Sequence, residues 1–469
     1  MEHIIQQITV ELVRKITEKA CSGGISDVDA LASSVLQDCK QASASIIEVI
    51  CSEINLRIRK DKSVRKELGL VIKEKERPRE ILTDLGKLNL PRDYYYDKNQ
   101  EKYVSLLDHI IGIRNYERIG DSLSARMVRL ATDMSYANSA AIATEGAVSR
   151  QTVKNHIRKI NIPEKQPESI EKKVVKELHI YADEDHVHMQ RPNKERGKKN
   201  KIVPLVTVTE GMHMESCGRN RTIGTMHFVD EHFDTKNLWK SVEGYIGRAY
   251  DLEKLENIYV HGDGGKWIRN GLDDFPQTIH VMDGYHLGKN IRALSRKFPK
   301  KNVSGRIRAA LQESDRKQID KILQSLYDAS ENEQQRKSVS DFGKYVMGNW
   351  NEIINRKALK IPGSCTEAQV SHVLSERFSR DPLGWSEEGL GKLTKLRVYK
   401  KNGGRISAAD FKDKKKETYS EYADRIIDEA MSGKNDWSIF DGEPLVFDRA
   451  SGTQTLLHGI GTTRNNLWN

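Results

Sequence analysis

The chain has 469 residues, of which 37% are hydrophobic and 31% are charged, and this length predicts more than one domain. Lysine and arginine outnumber aspartate and glutamate by 77 to 67, so the net charge of +10 fits a polyanionic partner such as nucleic acid. The five cysteines include no CxxC pair, which argues against a disulfide scaffold and a zinc ribbon. No stretch approaches the roughly 20 continuous apolar residues of a membrane span, which argues against a membrane protein. We therefore predict a cytoplasmic, nucleoid-associated location.

The N-terminal part of the chain has mostly helical character. Apolar residues recur at helical spacing through residues 1–75, which predicts a helical N-terminal region. Short apolar runs and turn residues then surround the consecutive tyrosines Tyr94, Tyr95 and Tyr96. This change of pattern predicts a small β-hairpin within a connecting region, residues 76–120.

Residues 121–165 have the pattern of a helix-turn-helix DNA-binding domain. Small alanines lie where two helices would cross, Gly146 lies in the turn, and Ser149 is placed to cap the next helix. Val153 and Ile157 would point inward. The polar side chains left for base edges and phosphates are Arg150, Gln151, Lys154, Asn155 and Arg158. The alternative is a basic surface helix in an all-α domain, but the agreement of turn, cap and outward donors favours DNA binding.

An α/β pattern begins at Lys176. Strands are predicted at residues 178–182, 202–208, 222–229, 255–261 and 278–282, with a helix before the fourth. Three antiparallel strands followed by parallel ones is the order of an RNase H-like catalytic core with a mixed five-stranded sheet. The predicted parts are a first core segment (176–290), an α-helical insertion (291–358), a last core helix (359–400) and a basic C-terminal region (401–469).

Three separated carboxylates stand out in this α/β part. Asp183 ends a predicted strand, and Asp185 lies two residues on and therefore on the same strand face. Asp263 follows an apolar strand and is flanked by glycines that let the backbone approach phosphate or metal closely. Glu367 shares a predicted helix face with apolar residues, where a carboxylate needs a metal or an arginine as partner. The alternatives are an acidic turn, a tight turn and a helix cap, respectively.

Two-metal phosphoryl transfer requires several carboxylates that converge on two divalent ions, and oxygen ligands suit Mg²⁺ or Mn²⁺. Asp183, Asp263 and Glu367 meet this requirement, with Asp183 preferred over Asp185 as the first ligand. Asp283 and His286 end the fifth predicted strand and begin a helix. They are either a further ligand and proton carrier or a local cap with a packed histidine. The same helix carries Lys289 and Arg292, which we predict to contact DNA.

Taken in order, these segments resemble the DDE transposases of bacterial and archaeal insertion sequences, specifically the ISLre-type family, whose relatives often carry UPF-type labels. The resemblance runs from about residue 60 to about residue 404. It rests on RDYYY (92–96), YADEDHV (181–187), HGDGGKWI (261–268), DGYHLGKN (283–290), the helix of residues 367–380, the Gly-Trp pair at 384–385 and LRVYKKNGG (396–404).

The resemblance implies that Asp183, Asp263 and Glu367 are the catalytic triad. It implies that Asp283 and His286 match a DxxH motif of mutator-like and related transposases, and that a helical insertion separates the second and third carboxylates. The implied activity is metal-dependent cleavage at the terminal inverted repeats of a mobile element, followed by joining of the 3′-OH to target DNA. Double-stranded element ends and target DNA are the implied partners, and a homodimer or larger assembly is expected.

Three other hypotheses remain open at the level of sequence. The first is a metal-dependent nuclease of the RNase H-like fold. The helix-turn-helix argues against it, because such a nuclease needs less recognition of DNA sequence than a helix-turn-helix provides. A catalytically inactive DNA-binding regulator predicts unchanged behaviour when Asp263 is neutralised. A zinc protein would use the histidines, but no cysteine or HExxH spacing accompanies them; its candidate ligands are His186, His188, His261 and His286.

Overall fold

The computed structural model describes residues 2–22, 27–162, 171–190, 200–215, 220–359, 365–381, 383–411 and 422. The chain divides into two compact units, one formed by residues 1–118 with 416–469 and the other by residues 119–415. Most of the predicted basic C-terminal region, 401–469, lies outside the described residues. Within the described ranges, no helix combines the length and the apolar character needed to cross a membrane.

The first unit combines four described helices with five strands. The helices are α1 (Glu2–Ser22), α2 (Val28–Lys60), α3 (Lys62–Glu67) and α4 (Leu106–Ile111). The strands are β1 (Leu70–Arg77), β2 (Glu80–Thr83), β3 (Gly86–Asn89), β4 (Arg92–Asp97) and β5 (Lys102–Val104). β1, β4 and β5 form an antiparallel sheet in that order, and β2 pairs with β3 in a separate hairpin. The region where the sequence predicts one hairpin therefore holds two small β-structures.

The core of this unit lies between α2 and β4. Ile54 and Ile58 on α2 are buried together with Tyr95 on β4. Asp93 is also buried there, and its carboxylate accepts hydrogen bonds from Arg59 at 2.7 Å and from Asn55 at 3.2 Å. These bonds compensate the cost of burying a charge and fix β4 against the helix.

The second unit begins with three packed helices, α5 (Asp121–Ala131), α6 (Tyr136–Thr144) and α7 (Arg150–Lys159). The Ser135 hydroxyl caps α6 by accepting a hydrogen bond from the amide of Asn138 at 3.2 Å. Ala140 and Ala143 are buried where the helices cross, and Gly146 has a positive φ in the turn before α7.

A mixed five-stranded sheet forms the centre of the second unit. Its strands are β6 (Glu177–His188), β7 (Asn200–Thr209), β10 (Met226–Phe228), β11 (Asn257–Gly262) and β12 (Thr278–Met282). The order is β10-β7-β6-β11-β12; the β10–β7 and β7–β6 pairs are antiparallel, and the β6–β11 and β11–β12 pairs are parallel. The predicted mixed sheet is confirmed.

The third strand of this sheet is shorter than the sequence indicates. The apolar run from residue 222 is interrupted at Gly224, whose φ of +59° disfavours any residue with a Cβ. The segment before it, β9 (Asn220–Ile223), pairs instead with β8 (Gly211–Met214) in a two-stranded ribbon. Only β10 joins the main sheet.

Helices complete the unit. α8 (Thr235–Ala249) buries Leu238, Val242 and Ile246 against one face of the sheet. The remaining helices are α9 (Lys266–Arg269), α10 (Gly284–Lys297), α11 (Val303–Gln312), α12 (Arg316–Asp328), α13 (Glu333–Gly348), α14 (Trp350–Ala358), α15 (Thr366–Val370), α16 (Glu376–Phe378) and α17 (Glu387–Lys401). A π-helical turn, Ser371–Ser375, joins α15 to α16, and a 3₁₀ turn spans Ala408–Phe411. α10 to α14 share one hydrophobic core.

Candidate metal centre

The carboxyl ends of the parallel strands bring several ionisable side chains to one edge of the sheet. Asp263 follows β11 directly, and Asp283 follows β12 directly. Asp183 lies on β6 two residues beyond Tyr181, which pairs with His261 on β11. The strand register alone therefore places three aspartates at the same edge.

Asp183, His286 and Glu367 form the tightest group at this edge. One potential ligand atom from each side chain lies within 4.8 Å of the others. Asp183 is buried, His286 is half-buried and Glu367 is exposed. We call these three side chains the metal cluster. Two carboxylates and an imidazole from separate parts of the chain are a donor set that suits a divalent cation.

His286 is oriented by Asp283. The imidazole Nδ1 lies 2.8 Å from Asp283 Oδ2, and the Nε2 lies 4.0 Å from Asp183 Oδ2. Asp283 is fully buried, caps α10 and raises the pKa of His286 through this hydrogen bond. A histidine that donates its Nδ1–H to a carboxylate and directs Nε2 into a site is the usual arrangement of a metal-binding histidine.

The carboxylates in and beside the metal cluster repel one another. Burial, together with the negative charges of Asp263 and Glu367, raises the pKa of Asp183 to about 6, although His286 opposes the shift. Carboxylates that repel one another in a partly buried place are stabilised by a positive charge between them.

Asp263 lies beside the metal cluster but is not one of its three residues. Its carboxylate accepts a hydrogen bond from the amide of Gly265 at 2.8 Å, and its charge still acts on Asp183 and His286. Gly264 between them has a φ of +89°, and a Cβ there would meet Asn349 Oδ1 at 1.8 Å. Glycine is thus required for the loop that carries Asp263 to pack against the end of α13.

Asp185 takes a different position from Asp183. It is buried, and its Oδ1 accepts a hydrogen bond from Ser379 at 3.0 Å. Burial raises its pKa, as it does for Asp183. Of the two candidates for the first ligand, the structure brings Asp183 and not Asp185 into the metal cluster.

Glu367 lies in the first turn of α15 but is exposed, whereas the sequence pattern predicts it on the buried helix face. Cys365 is the cap residue of α15, and its side chain makes no capping hydrogen bond. The π-helical turn that follows α15 changes the helical register. Within α15, Thr366 and Val370 fill the core, and the exposed Glu367 contributes its carboxylate to the cluster.

The predicted DNA-contacting residues lie in two places. On α7, Arg150, Gln151, Asn155 and Arg158 are exposed and Lys154 is half-buried, while Val153 and Ile157 are buried. On α10, Lys289 and Arg292 are exposed one and two turns beyond His286. Of the four histidines of the zinc hypothesis, only His286 belongs to the metal cluster; His186 and His188 are exposed on β6. His261 is buried and stacked on Tyr181, and burial lowers its pKa to about 3.

Arg356 is a charged residue near the site that the sequence analysis missed. It lies on α14, where its Nη1 donates to the carbonyl of Met282 at 3.4 Å. A Cβ on Gly284 would meet the Arg356 guanidinium at 2.5 Å, so this arginine sits directly against the start of α10. No local signal marks it, because α14 resembles the other basic helices of its region.

The fold and the metal cluster define an α/β protein with a candidate cation site at the carboxyl edge of a mixed sheet. The model of the Uncharacterised protein family (UPF0236) matches residues 24–415, and the chain belongs to this family.

Relatives of the family occur in Caldanaerobacter subterraneus subsp. tengcongensis. UPF0236 protein TTE2489 is 36% identical over 372 residues, which are 79% of this chain and 78% of the relative. UPF0236 protein TTE0610/TTE0881/TTE1053/TTE2432 is 33% identical over 423 residues, which are 88% of both chains. Among solved structures, a chain of the Drosophila P element transposase strand transfer complex matches with 11% identity and a TM-score of 0.21, covering 69% of this chain and 94% of that chain. A likeness this weak does not bear on function.

Proposed function

We propose that this protein is a DNA transposase of an insertion sequence, of the ISLre-type DDE family that its sequence resembles. The observation that carries the proposal is the convergence of Asp183, His286 and Glu367 within 4.8 Å at a sheet edge that also holds Asp263. DNA cleavage and strand transfer require such a group of carboxylates.

The topology of the second unit supports an RNase H-like core. Three antiparallel strands, β10, β7 and β6, are followed by the parallel strands β11 and β12. Helices α10 to α14 have their own hydrophobic core and stand in the chain between Asp263 and Glu367, which supports an inserted helical part. In this assignment, Asp183, Asp263 and Glu367 are the catalytic triad, and Asp283 with His286 forms the DxxH motif.

The residues fit Mg²⁺ or Mn²⁺, and we propose two ions. Asp183 and Glu367 supply hard oxygen donors, and His286 offers Nε2 because Asp283 occupies its Nδ1. Bound divalent ions at such a site supply Lewis acidity for in-line displacement at phosphorus by water or a 3′-OH. Lys289 and Arg292, exposed on α10, hold the phosphate backbone beside the site.

Helices α5 to α7 fit the proposed helix-turn-helix that locates terminal inverted repeats. α7 exposes Gln151 and Asn155 on the side opposite its buried residues, and Arg150 is exposed at its first residue. Gln151 Nε2 donates to Asn155 Oδ1 at 3.0 Å, so these two amides are held together as one polar pair. A single asparagine or glutamine amide can pair bidentately with adenine in the major groove. Because two element ends must be joined, we propose that a homodimer or larger assembly acts on double-stranded DNA.

We expect Asn155→Ala to lower the preference for the repeat, because it removes a base-reading amide from α7. The expected loss of affinity for the repeat duplex is about fivefold to a hundredfold, with little change for a scrambled duplex. Fluorescence anisotropy with both duplexes at one salt concentration measures the difference. Lys154→Ala is the matched control, since a phosphate contact weakens both duplexes alike. Equal losses on both duplexes for Asn155→Ala would remove α7 as the reading helix.

The direct test of the proposal is cleavage and joining of a labelled duplex that carries the element's own terminal repeat. Nicking at the repeat boundary that requires Mg²⁺ or Mn²⁺ and stops in EDTA is the expected result. Asp263→Asn protein, purified identically, controls for contaminating nuclease and should cleave at least tenfold more slowly. Cleavage without preference for the repeat would favour the nuclease, and tight binding without cleavage would favour the regulator.

A further inference from the structure

The tyrosine-rich strand β4 presents an aromatic surface that the proposed catalytic function does not use. Side chains alternate along the strand: Asp93, Tyr95 and Asp97 are buried, whereas Tyr94 and Tyr96 face outward and are half-buried. Tyr103 on the edge strand β5 lies opposite Tyr96 and is 55% exposed. We call Tyr94, Tyr96 and Tyr103 the tyrosine face.

The three rings pack on one another at the surface. Tyr94 and Tyr103 are stacked, with centroids 5.6 Å apart and planes 5° from parallel. Tyr96 meets Tyr103 edge to face at 5.3 Å. A preformed group of parallel and perpendicular rings loses little conformational freedom when a further flat ring stacks on it.

Two cations of β1 border the tyrosine face. Arg77 lies 4.9 Å from the centre of the Tyr94 ring, and Lys73 lies 5.6 Å from that of Tyr96. Glu74 contacts Arg77 at 3.5 Å, whereas Lys73 makes no ion pair among the described residues. Positive charge therefore stands beside ring faces that remain partly open to solvent.

The opposite side of β4 holds this surface in place. Tyr95 is fully buried, and Asp93 is bound by Arg59 and Asn55 from α2. The strand cannot rotate its tyrosines inward without breaking these buried contacts, so the rings stay at the surface. Exposed aromatic rings held in this way mark a binding surface rather than a part of the core.

We propose that the tyrosine face binds single-stranded DNA by stacking on unpaired bases, with Lys73 and Arg77 contacting the phosphates. Aromatic side chains interleaved with cations on a β-sheet match the alternation of flat bases and charged phosphates in a single strand. Duplex DNA does not fit as well, because its bases already stack on one another. This binding site lies in the first unit and goes beyond the cleavage function proposed above.

The test is binding of a fluorescein-labelled oligothymidylate of about 12 nucleotides to the full chain, measured by anisotropy in EDTA. EDTA removes any cleavage, so the result is independent of whether the protein is a transposase. We expect the double variant with Tyr94→Ala and Tyr103→Ala to bind the single strand about tenfold more weakly or worse. A mixed-sequence duplex of equal length should change less than twofold.

Matched variants separate stacking from general damage. Tyr327→Ala removes a tyrosine of α12 that is 43% exposed and has Arg336 5.8 Å from its ring centre, so it should bind like the wild type. Tyr103→Phe keeps the ring and should retain binding, whereas Tyr103→Ala alone, at the more exposed position, should weaken it. Photo-cross-linking with an iodouracil-substituted strand should label Tyr94, Tyr96 or Tyr103. Single-strand affinity that is unchanged in the double variant, or that falls equally for the duplex, would overturn the proposal.

Discussion

Asp183→Asn is expected to reduce metal-dependent cleavage of the repeat duplex by about 10³-fold or more. The substitution preserves the shape of the side chain but removes the most buried negative charge of the metal cluster. The rate falls tenfold for each ~1.4 kcal/mol of transition-state stabilisation that is lost, and removal of this charge should cost several kcal/mol. Single-turnover cleavage of the labelled duplex at saturating protein measures the change.

The same substitution should not destabilise the folded protein when no metal is added. Burial and the charges of Asp263 and Glu367 disfavour the ionised form of Asp183, so a neutral amide relieves repulsion in the folded state. We expect an equal or higher Tm for Asp183→Asn in EDTA. The increase in Tm that Mn²⁺ produces in the wild type should be lost, because only a ligand that binds the folded state stabilises it.

Asp185→Asn is the matched control, since Asp185 is a buried carboxylate on the same strand two residues away. An amide oxygen still accepts the hydrogen bond from Ser379, so this variant should keep both activity and the Mn²⁺-dependent rise in Tm. If Asp185→Asn lost activity while Asp183→Asn kept it, the first ligand would be Asp185 and the assignment made from the cluster would be wrong.

The mixed sheet was predictable because its buried strands are apolar runs with clear ends. β11 and β12 coincide closely with the predicted strands. β10 was overestimated because β-propensity continues through residues 222–229, whereas the strand is interrupted at Gly224, whose φ is +59°. β9 pairs with β8 and only β10 pairs with β7, so the predicted strand is divided at this position. β-Propensity alone does not show where a strand is divided.

Asp263 and Asp283 were visible in the sequence because each directly follows an apolar strand, and parallel strands end at one edge. Asp183 was visible because it follows an apolar run, but it lies inside β6, which continues to His188 and does not end at Asp183 as predicted. The exposure of Glu367 was not predicted, because Thr366 and not Glu367 fills the core in the first turn of α15. The close approach of Arg356 to Gly284 was likewise not predictable from the sequence, because it requires α14 to pack against β12. The sequence resemblance supplied the proposed triad, but the proximity of His286 to Asp183 and Glu367 was seen only in the structure.

The π-helical turn after α15 depends on Arg397, a residue of α17 that is buried at 3% exposure. Its Nε donates to the carbonyl of Val373 at 2.5 Å and its Nη2 to that of His372 at 2.9 Å. Its Nη1 donates to Thr132 O and to Asp133, each at 2.8 Å. Burial lowers the pKa of Arg397, and the acidic partners oppose that shift. One guanidinium therefore joins the turn that follows Glu367 to the end of α5.

Arg397→Met should therefore destabilise the second unit by about 3 kcal/mol, because it leaves the carbonyls of Thr132, His372 and Val373 without their donor. Urea unfolding followed by tryptophan fluorescence measures this in a background with Trp437→Phe and Trp468→Phe, because the other four tryptophans of the chain lie between residues 119 and 415. Lys400→Ala is the control: Lys400 also contacts Asp133 but is 36% exposed, so its loss should cost at most about 1 kcal/mol. Similar small losses of stability for both variants would mean that water replaces the guanidinium. The π-helical turn that follows α15 would then be stable without Arg397.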